Sequence, residues 1–448
     1  MRCHSPVTSL AMTTSESWRD SWSSLGAQFS RLWAAAAVSN FGDGLVLVAL
    51  PLLVESMTSN AIYVSGLITM RYAAWLLLGL VGGVTADRAD RQRIMVYVDL
   101  ARTVAIGTLG VVIVFGTPPI ALIWAVAFLL GCGEVFFDSA AEAMLPNVVE
   151  EAQLERANSR LFVTQSVANE FIGPPVGAFL FAIAAALPFL LDAWSFLGAA
   201  MIVLTLRGRF SPAPVAPDDL ATTSPRAAAA FRSDVAAGWR FVRGHRLLRS
   251  LIGLGCAWNF FAVGAESTLV VFARRELHTS EAGYGLALTG FAVGGILAGW
   301  LTERIVAKIG PGRTILATFL LGAIAGFATA TTHSIWVLAF AFACSFAAGT
   351  AASIVVLSLR QQLVPDELRG RVASLFRVGV FASAGTGALL MGILANRVSL
   401  RAPFYALGLA AIALFLGAAT EITNTTIAAA KASRGPADNT AVIDGSGD

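Results

Sequence analysis

The side chains of this chain that could carry chemistry are acids and an arginine set inside long apolar runs. Asp43 lies near the middle of one run, on the same helical face as Asn40 one turn earlier. Arg71 falls well inside the second run, Glu134 deep in the fourth and Glu170 in the fifth. Ionisable groups in such places are costly and are functional hypotheses by default. Burial disfavours an ionised carboxylate and a nearby cation favours it, so a group balanced between them can carry a proton across a membrane. Asp43 is therefore the first candidate for a proton carrier, the alternative being a hydrogen-bonded structural acid. Arg71 is its candidate counter-ion, or an anchor for an anionic cargo. Glu134, Asp138 and Glu142 form a stripe at helical spacing, and three carboxylates on one face repel unless paired or protonated. Asp138 and Glu142 read as an ion-pair network with Arg88, Arg91, Arg102 or Arg160, and the deeper Glu134 as a protonation switch. Asp99 and Arg102, three apart, are expected to pair with each other.

The fifth run carries another pattern. Gln165, Asn169, Gly173 and Gly177 recur every fourth residue, a stripe that grades from polar to small. Small residues let helices approach closely, and Pro174 removes a backbone donor and can bend the helix. Packing and gating both explain the glycines. Glu170, beside the stripe, is the second candidate for proton or cation recognition. Asp192 and Glu266 fall nearer the outer side: Glu266 is expected to line a cavity with Asn259, Asp192 to pair at the outer rim. Trp258, Phe260 and Phe261 either face that cavity and contact an amphiphilic cargo, or face lipid.

What positions these groups follows from composition. Of 448 residues 56% are apolar, and only 13% are charged, against roughly 25% in a soluble protein. A soluble enzyme could not hide so much apolar surface, and unbroken runs exclude the alternation of an outer-membrane barrel. The chain reads as an all-α polytopic membrane protein. Twelve candidate spans fall near 32–56, 61–85, 94–116, 119–143, 161–184, 186–206, 249–273, 282–304, 313–331, 334–359, 373–396 and 402–422. The division expected is a polar segment 1–28, a six-helix half 29–206, a linker 207–248, a second half 249–424 and a disordered tail 425–448. Met12 is an alternative start. In the linker Phe231, Val235, Trp239 and Val242 recur at helical spacing, as in an amphipathic surface helix or an ordinary solvated linker. With the N-terminus inside, 26 of the 31 basic residues fall on the cytoplasmic side, which places both termini there.

Several chemistries are excluded. Cys132, Cys256 and Cys344 sit in apolar runs and the four histidines are scattered, so no zinc or disulfide pattern appears and no metal site is expected. Neither Lys308 nor Lys431 follows a glycine, so there is no Walker A loop. Net charge of +3 is too small for a nucleic-acid partner. No cofactor is expected, and no nucleophile–base pair marks an enzyme.

The halves repeat. GLVGGVTADR (79–88) aligns with GILAGWLTER (295–304), so that Asp87 and Arg88 meet Glu303 and Arg304. MLPNVVEEAQLERANS (144–159) resembles LVPDELRGRVAS (363–374) at nearly the same offset. Parallel repeats of six helices build transporters with a central site between the halves. In GGVTADRADRQR (82–93), Gly83 is expected to bring the second span close to a neighbour. Asp87, Arg88, Arg91 and Arg93, with Asp138 and the echo Glu303–Arg304, would form a charged cytoplasmic latch, the alternative being topogenic charge.

On these residues the chain resembles the major facilitator superfamily over nearly all of 30–422. Gly83, Asp87, Arg88, Arg91 and Arg93 fit the superfamily's loop between spans two and three, whereas Asp90 stands where a glycine is preferred. FDSAAEAMLPNVVEEAQLERANS and RQQLVPDELRGRVASLFR are similar to the branch of bacterial enterobactin exporters and macrolide-efflux proteins. GPPVG (173–177) resembles the antiporter signature of superfamily exporters through Gly173, Pro174 and Gly177, with Ala178 and Asn169 in place of two glycines. The resemblance implies two six-helix pseudo-repeats and export of a small molecule (drug, macrolide-like compound or siderophore) by proton antiport and alternating access. It also implies a monomer in the bilayer of the bacterial cytoplasmic membrane, driven by the proton gradient. An importer or facilitator on the same fold, and a non-transporting sensor or scaffold, are the other readings.

Overall fold

The computed structural model describes residues 25–208, 210 and 238–432, apart from the side chains of a few residues, Asp87 among them. The latch position Asp87 and most of the expected linker helix, Phe231 and Val235 included, thus lie outside the described side chains and residues. Among the described residues there is no strand. Twelve helical stretches are long and apolar enough to cross a membrane, as they must be where no water can satisfy exposed backbone. The first six are Gly26–Met57, Ala61–Arg88, Arg91–Phe115, Ile120–Met144, a composite stretch ending at Ile183, and Leu187–Leu204. The second six are Arg246–Arg275, Glu281–Ile309, Pro311–Thr331, Ile335–Leu363, Asp366–Arg397 and Ala402–Glu421.

The spans pack as a repeat. In the first half span one packs on spans five and six, span three on four and six, and span two on four. Advancing each number by six gives the second half's pairings: seven on eleven and twelve, nine on ten and twelve, eight on ten. The two main contacts between the halves, span two with eleven and span five with eight, also exchange under the same operation. The repeat reaches single residues. Gly173 lies against the backbone of Gly44, and Gly387 against that of Phe260, each leaving no space for a Cβ.

The apolar core is divided unevenly. On the face opposite the chain ends one continuous cluster joins Leu50, Leu53, Val64, Leu109 and Phe189 of the first half to Phe272, Leu338 and Phe404 of the second. On the face bearing the chain ends each half has its own cluster, around Phe29, Met95 and Met144 in the first and Leu251, Leu359 and Ile422 in the second.

Two expectations need correction. Residues expected in a disordered tail form the helix Asn424–Ala432. Thr423 and Thr426 cap it reciprocally, each hydroxyl accepting from the other's N–H at 3.1 and 2.9 Å, and Ile427 is buried in the second half's core. The described part of the linker helix, 238–244, is also not simply superficial. Trp239 is exposed, but Val242 is buried in that same core.

Candidate functional site

A cavity of about 150 Å³ lies between the halves, lined by Asp43, Leu50, Arg71, Tyr72, Glu134 and Asn169 of the first half and Val263 and Glu266 of the second. A larger cleft of about 410 Å³ adjoins it, sharing Val263 and Glu266 and lined by Trp258, Asn259, Phe291, Phe342, Phe346 and Phe162. Together they reach the size range of small-molecule sites. Glu266 stands at their junction because span seven breaks there. The helix Arg246–Glu266 stops, and Ser267 and Thr268 turn their hydroxyls onto the carbonyls of Gly264 and Ala265 at 2.7 and 2.9 Å.

The charges pair differently from the sequence expectation. Arg71 grips Glu134 with two hydrogen bonds, Nε to Oε2 at 2.9 Å and Nη2 to Oε1 at 2.8 Å. Its partner is thus on span four, which packs on span two, and not Asp43 on span one. Glu134 accordingly pairs with none of the four arginines expected for its stripe. Asp43 is half-buried and faces Arg102, whose Nη1 is 3.9 Å away. Arg102 stands 4.0 Å from Asp99, too far for a hydrogen bond, so the expected i, i+3 pair is only a loose one. Asp192 is not at an outer rim: it is fully buried in the first half, against Gly42, and accepts a hydrogen bond from Ser195 at 3.0 Å.

Other expected site residues scatter. Asn40 spends its amide on the carbonyl of Ala36 at 2.7 Å and does not line the cavity. Asn259 likewise donates to Gly255 at 2.9 Å but does line the cleft. Trp258 lines it too, while Phe260 and Phe261 stack on each other outside it. Gln165 lines neither space; Glu170 is exposed and lies within electrostatic reach of Arg71 and Glu266. Phe291, Phe342 and Phe346, which stack edge-on, were not anticipated, because aromatics in a span give no sign of whether they face lipid or a cleft.

Span five is interrupted by a π-helical turn, Val167–Ile172, before the helix Gly173–Ile183. Pro174 and Pro175 have no N–H for the carbonyls of Glu170 and Phe171, so the helix widens by one residue there. Asn169 and Glu170 sit on that turn. Gly173 and Gly177 meet the backbones of Gly44 and Leu45 on span one, the closest helix approach the stripe provides.

Several of the described latch residues make contacts other than those expected. A Cβ on Gly83 would meet nothing within 4 Å, whereas one on Gly82 would meet Val135 at 2.8 Å and Ser139 at 3.1 Å. The close approach of span two to span four thus belongs to the preceding glycine. Asp90, in the position where the superfamily prefers glycine, caps span three by accepting from the N–H of Arg93 at 3.2 Å. Arg91 donates to the carbonyl of Ala86 at 3.2 Å, and Arg304 stacks on Trp300 at 4.2 Å. Asp138 and Glu303 form no ion pair within 4 Å among the described residues. An ionic clamp that the sequence did not signal lies at the opposite face. Glu55, buried at the end of span one, accepts from Arg275 Nε at 2.7 Å and Arg274 Nε at 3.3 Å, both from span seven. Arg274 also reaches Glu281 on span eight at 2.6 Å.

Similarity to known proteins agrees with this architecture. The family model described as "Transmembrane secretion effector" matches residues 20–440. The multidrug efflux pump Tap of Mycolicibacterium fortuitum is 27% identical over 84% of this chain and 91% of its own length. The enterobactin exporter EntS of Escherichia coli is 24% identical, covering 81% of this chain and 84% of its own. Among solved structures, a bacterial homologue of the iron transporter ferroportin in its inward-facing state superposes with a TM-score of 0.65 at 16% identity, over 90% of this chain and 98% of that one.

Proposed function

Because the chain belongs to the transmembrane secretion effector family of the major facilitator superfamily, we propose that it exports a small amphiphilic molecule by proton antiport and alternating access. The observation that carries the reading is the space between the halves, where one wall bears acids and an arginine and the other bears aromatics, with Glu266 at the seam. An amphiphile has a polar end for the first wall and an apolar body for the second. The names of Tap and EntS, a multidrug efflux pump and an enterobactin exporter, support outward transport.

The gating reading rests on the uneven core. One shared cluster and the Glu55 clamp tie the halves together on the face opposite the chain ends, while on the other face each half keeps a separate core. With the termini cytoplasmic, a placement that the distribution of basic residues supports, this reads as a cargo-loading state open to the cytoplasm. The chain would work as a monomer, with protons as its coupling ions. Asp43 is the carrier because it touches the cavity on one side and Arg102 on the other. Protonation can shift the conformational equilibrium only by its differential affinity for the two states, and a carboxylate whose cation is 3.9 Å away is free to differ between them.

The test uses everted membrane vesicles containing the full chain and a panel of a cationic dye, a macrolide and a catecholate siderophore. We expect proton-driven accumulation of at least one probe by the wild type, and its loss in Asp43→Asn at unchanged expression. Coupling that survives in Asp43→Asn removes Asp43 from the mechanism, and no accumulation of any probe by the wild type removes the cargo class.

A further inference from the structure

Behind Asp43, away from the cavity, spans one, three, four and six enclose a second group of charges. Asp99 and Asp192 are fully buried and Arg102 is nearly so. Among the described residues, both oxygens of Asp99, one oxygen of Asp192 and Nε of Arg102 have no hydrogen-bond partner. Two glycines make the room: a Cβ on Gly42 would run into Asp192 and Ser195, and one on Gly133 into the Arg102 side chain. The guanidinium is held by the carbonyl of Leu130 at 3.3 Å and between the rings of Phe137 and Phe196, at 5.8 and 5.0 Å. Glu134 is already matched by Arg71. That leaves Asp43, Asp99 and Asp192 facing one another's fields and a single cation, with Asp138 of span four the other acid in reach.

Charge balance decides what such a pocket holds. Arg102 can balance one of the three carboxylates, and the other two would stand as uncompensated negative charges; with Asp99 and Asp192 shut away from water, proteins avoid this by neutralising the groups. A metal ion is not the answer, since no group of acids among the described residues has the arrangement to hold one. We infer that the pocket formed by Asp99, Asp192 and Arg102 behind Asp43 is a proton store, in which two protons are shared among the three carboxyls. Arg102 is its fixed charge, placed almost equally from Asp43 and Asp99 at 3.9 and 4.0 Å. A small movement of span one against span three therefore exchanges which carboxylate it neutralises and which takes the proton. Asp43 is the only member of the three that lines the cavity among the described residues, so protons enter and leave through it. The store's role in coupling rests on the antiport reading above; its protonation does not.

Infrared difference spectroscopy on the full chain in nanodiscs, with aspartate labelled at its side-chain carboxyl carbon, reads this directly. At neutral pH the wild type should show the isotope-shifted carbonyl stretch of protonated aspartic acid. Asp99→Asn and Asp192→Asn should each lose part of that band, and Arg102→Met should gain intensity as the third carboxyl takes a proton. The labelled wild type suffices if a variant does not fold. Absence of a protonated-aspartate band in the wild type at neutral pH overturns the inference, as does a band that both Asn variants leave intact. Either result is independent of whether any probe is exported.

Discussion

Arg71 and Glu134 meet through two parallel hydrogen bonds at the wall of a water-accessible cavity, where charge-assisted bonds are about twice as strong as neutral ones. Removing one partner strands the other, so Arg71→Met and Glu134→Gln should each cost about 1.5–3 kcal/mol. The double variant should lose less than the sum of the two, a coupling that thermal unfolding in detergent would measure as a double-mutant cycle. Equal additive losses would mean that the pair contributes nothing as a pair. The sequence could place both residues inside spans but not match them. Asp43 and Arg71 lie in consecutive spans, and consecutive spans are the natural first guess for neighbours. Here span two turns its charged face to span four, leaving span one to spans five and six. Asp192 was misplaced for the same reason: its position within span six suggested the outer rim, whereas span one covers it at Gly42.

At the scale of elements the glycines decide how near two helices come. Gly82 abuts Val135 and Ser139 of span four, while Gly83 faces open space. Gly82→Leu should therefore force the helices apart and destabilise the fold by about 1–3 kcal/mol, whereas Gly83→Ala meets no obstacle and should hold or slightly raise the melting temperature. The reverse order would show that the superfamily glycine, and not its neighbour, sets this contact. The motif carried the right segment and the wrong residue, because a one-residue step turns a helix face by 100°. The clamp at the far face was not legible at all. Glu55 lies 219 and 220 residues from Arg274 and Arg275, and arginines beside span ends read as ordinary interfacial charge. In the structure Glu55 is buried, its side chain 6% exposed, and it holds both arginines across the halves. Glu55→Gln should weaken that closure and raise the fraction of molecules open at this face. Spin labels on the ends of spans one and seven would read this as a longer distance; an unchanged distance distribution would show the shared apolar core alone keeps the face shut.

For the molecule as a whole, the twelve spans and their two-by-six repeat were readable because hydropathy and a recurring motif are local signals. The tail helix Asn424–Ala432 was not, since its stability comes from Ile427 entering a core built by remote spans. The chemistry is unevenly shared between otherwise equivalent halves. Asp43 is answered by Asn259 at the repeat's offset of 216 residues, and the neighbour Gly44 by Phe260. Most of the acids and the arginine at the cavity thus come from the first half, with Glu266 the exception, and most of the aromatics at the cleft from the second. That arrangement predicts how the cleft closes. Phe162 of the first half and Leu357 of the second line the same cleft from opposite sides. In a background with the four native cysteines replaced, Phe162→Cys and Leu357→Cys should be joined by a long flexible thiol linker in the state described here but form a disulfide only slowly. If the chain alternates as proposed, weakening the far-face clamp with Glu55→Gln should shift the population toward a state in which the halves approach at this cleft, and disulfide formation should then accelerate. A rate that ignores the clamp would mean that the two faces do not exchange, and alternating access would lose its structural basis here.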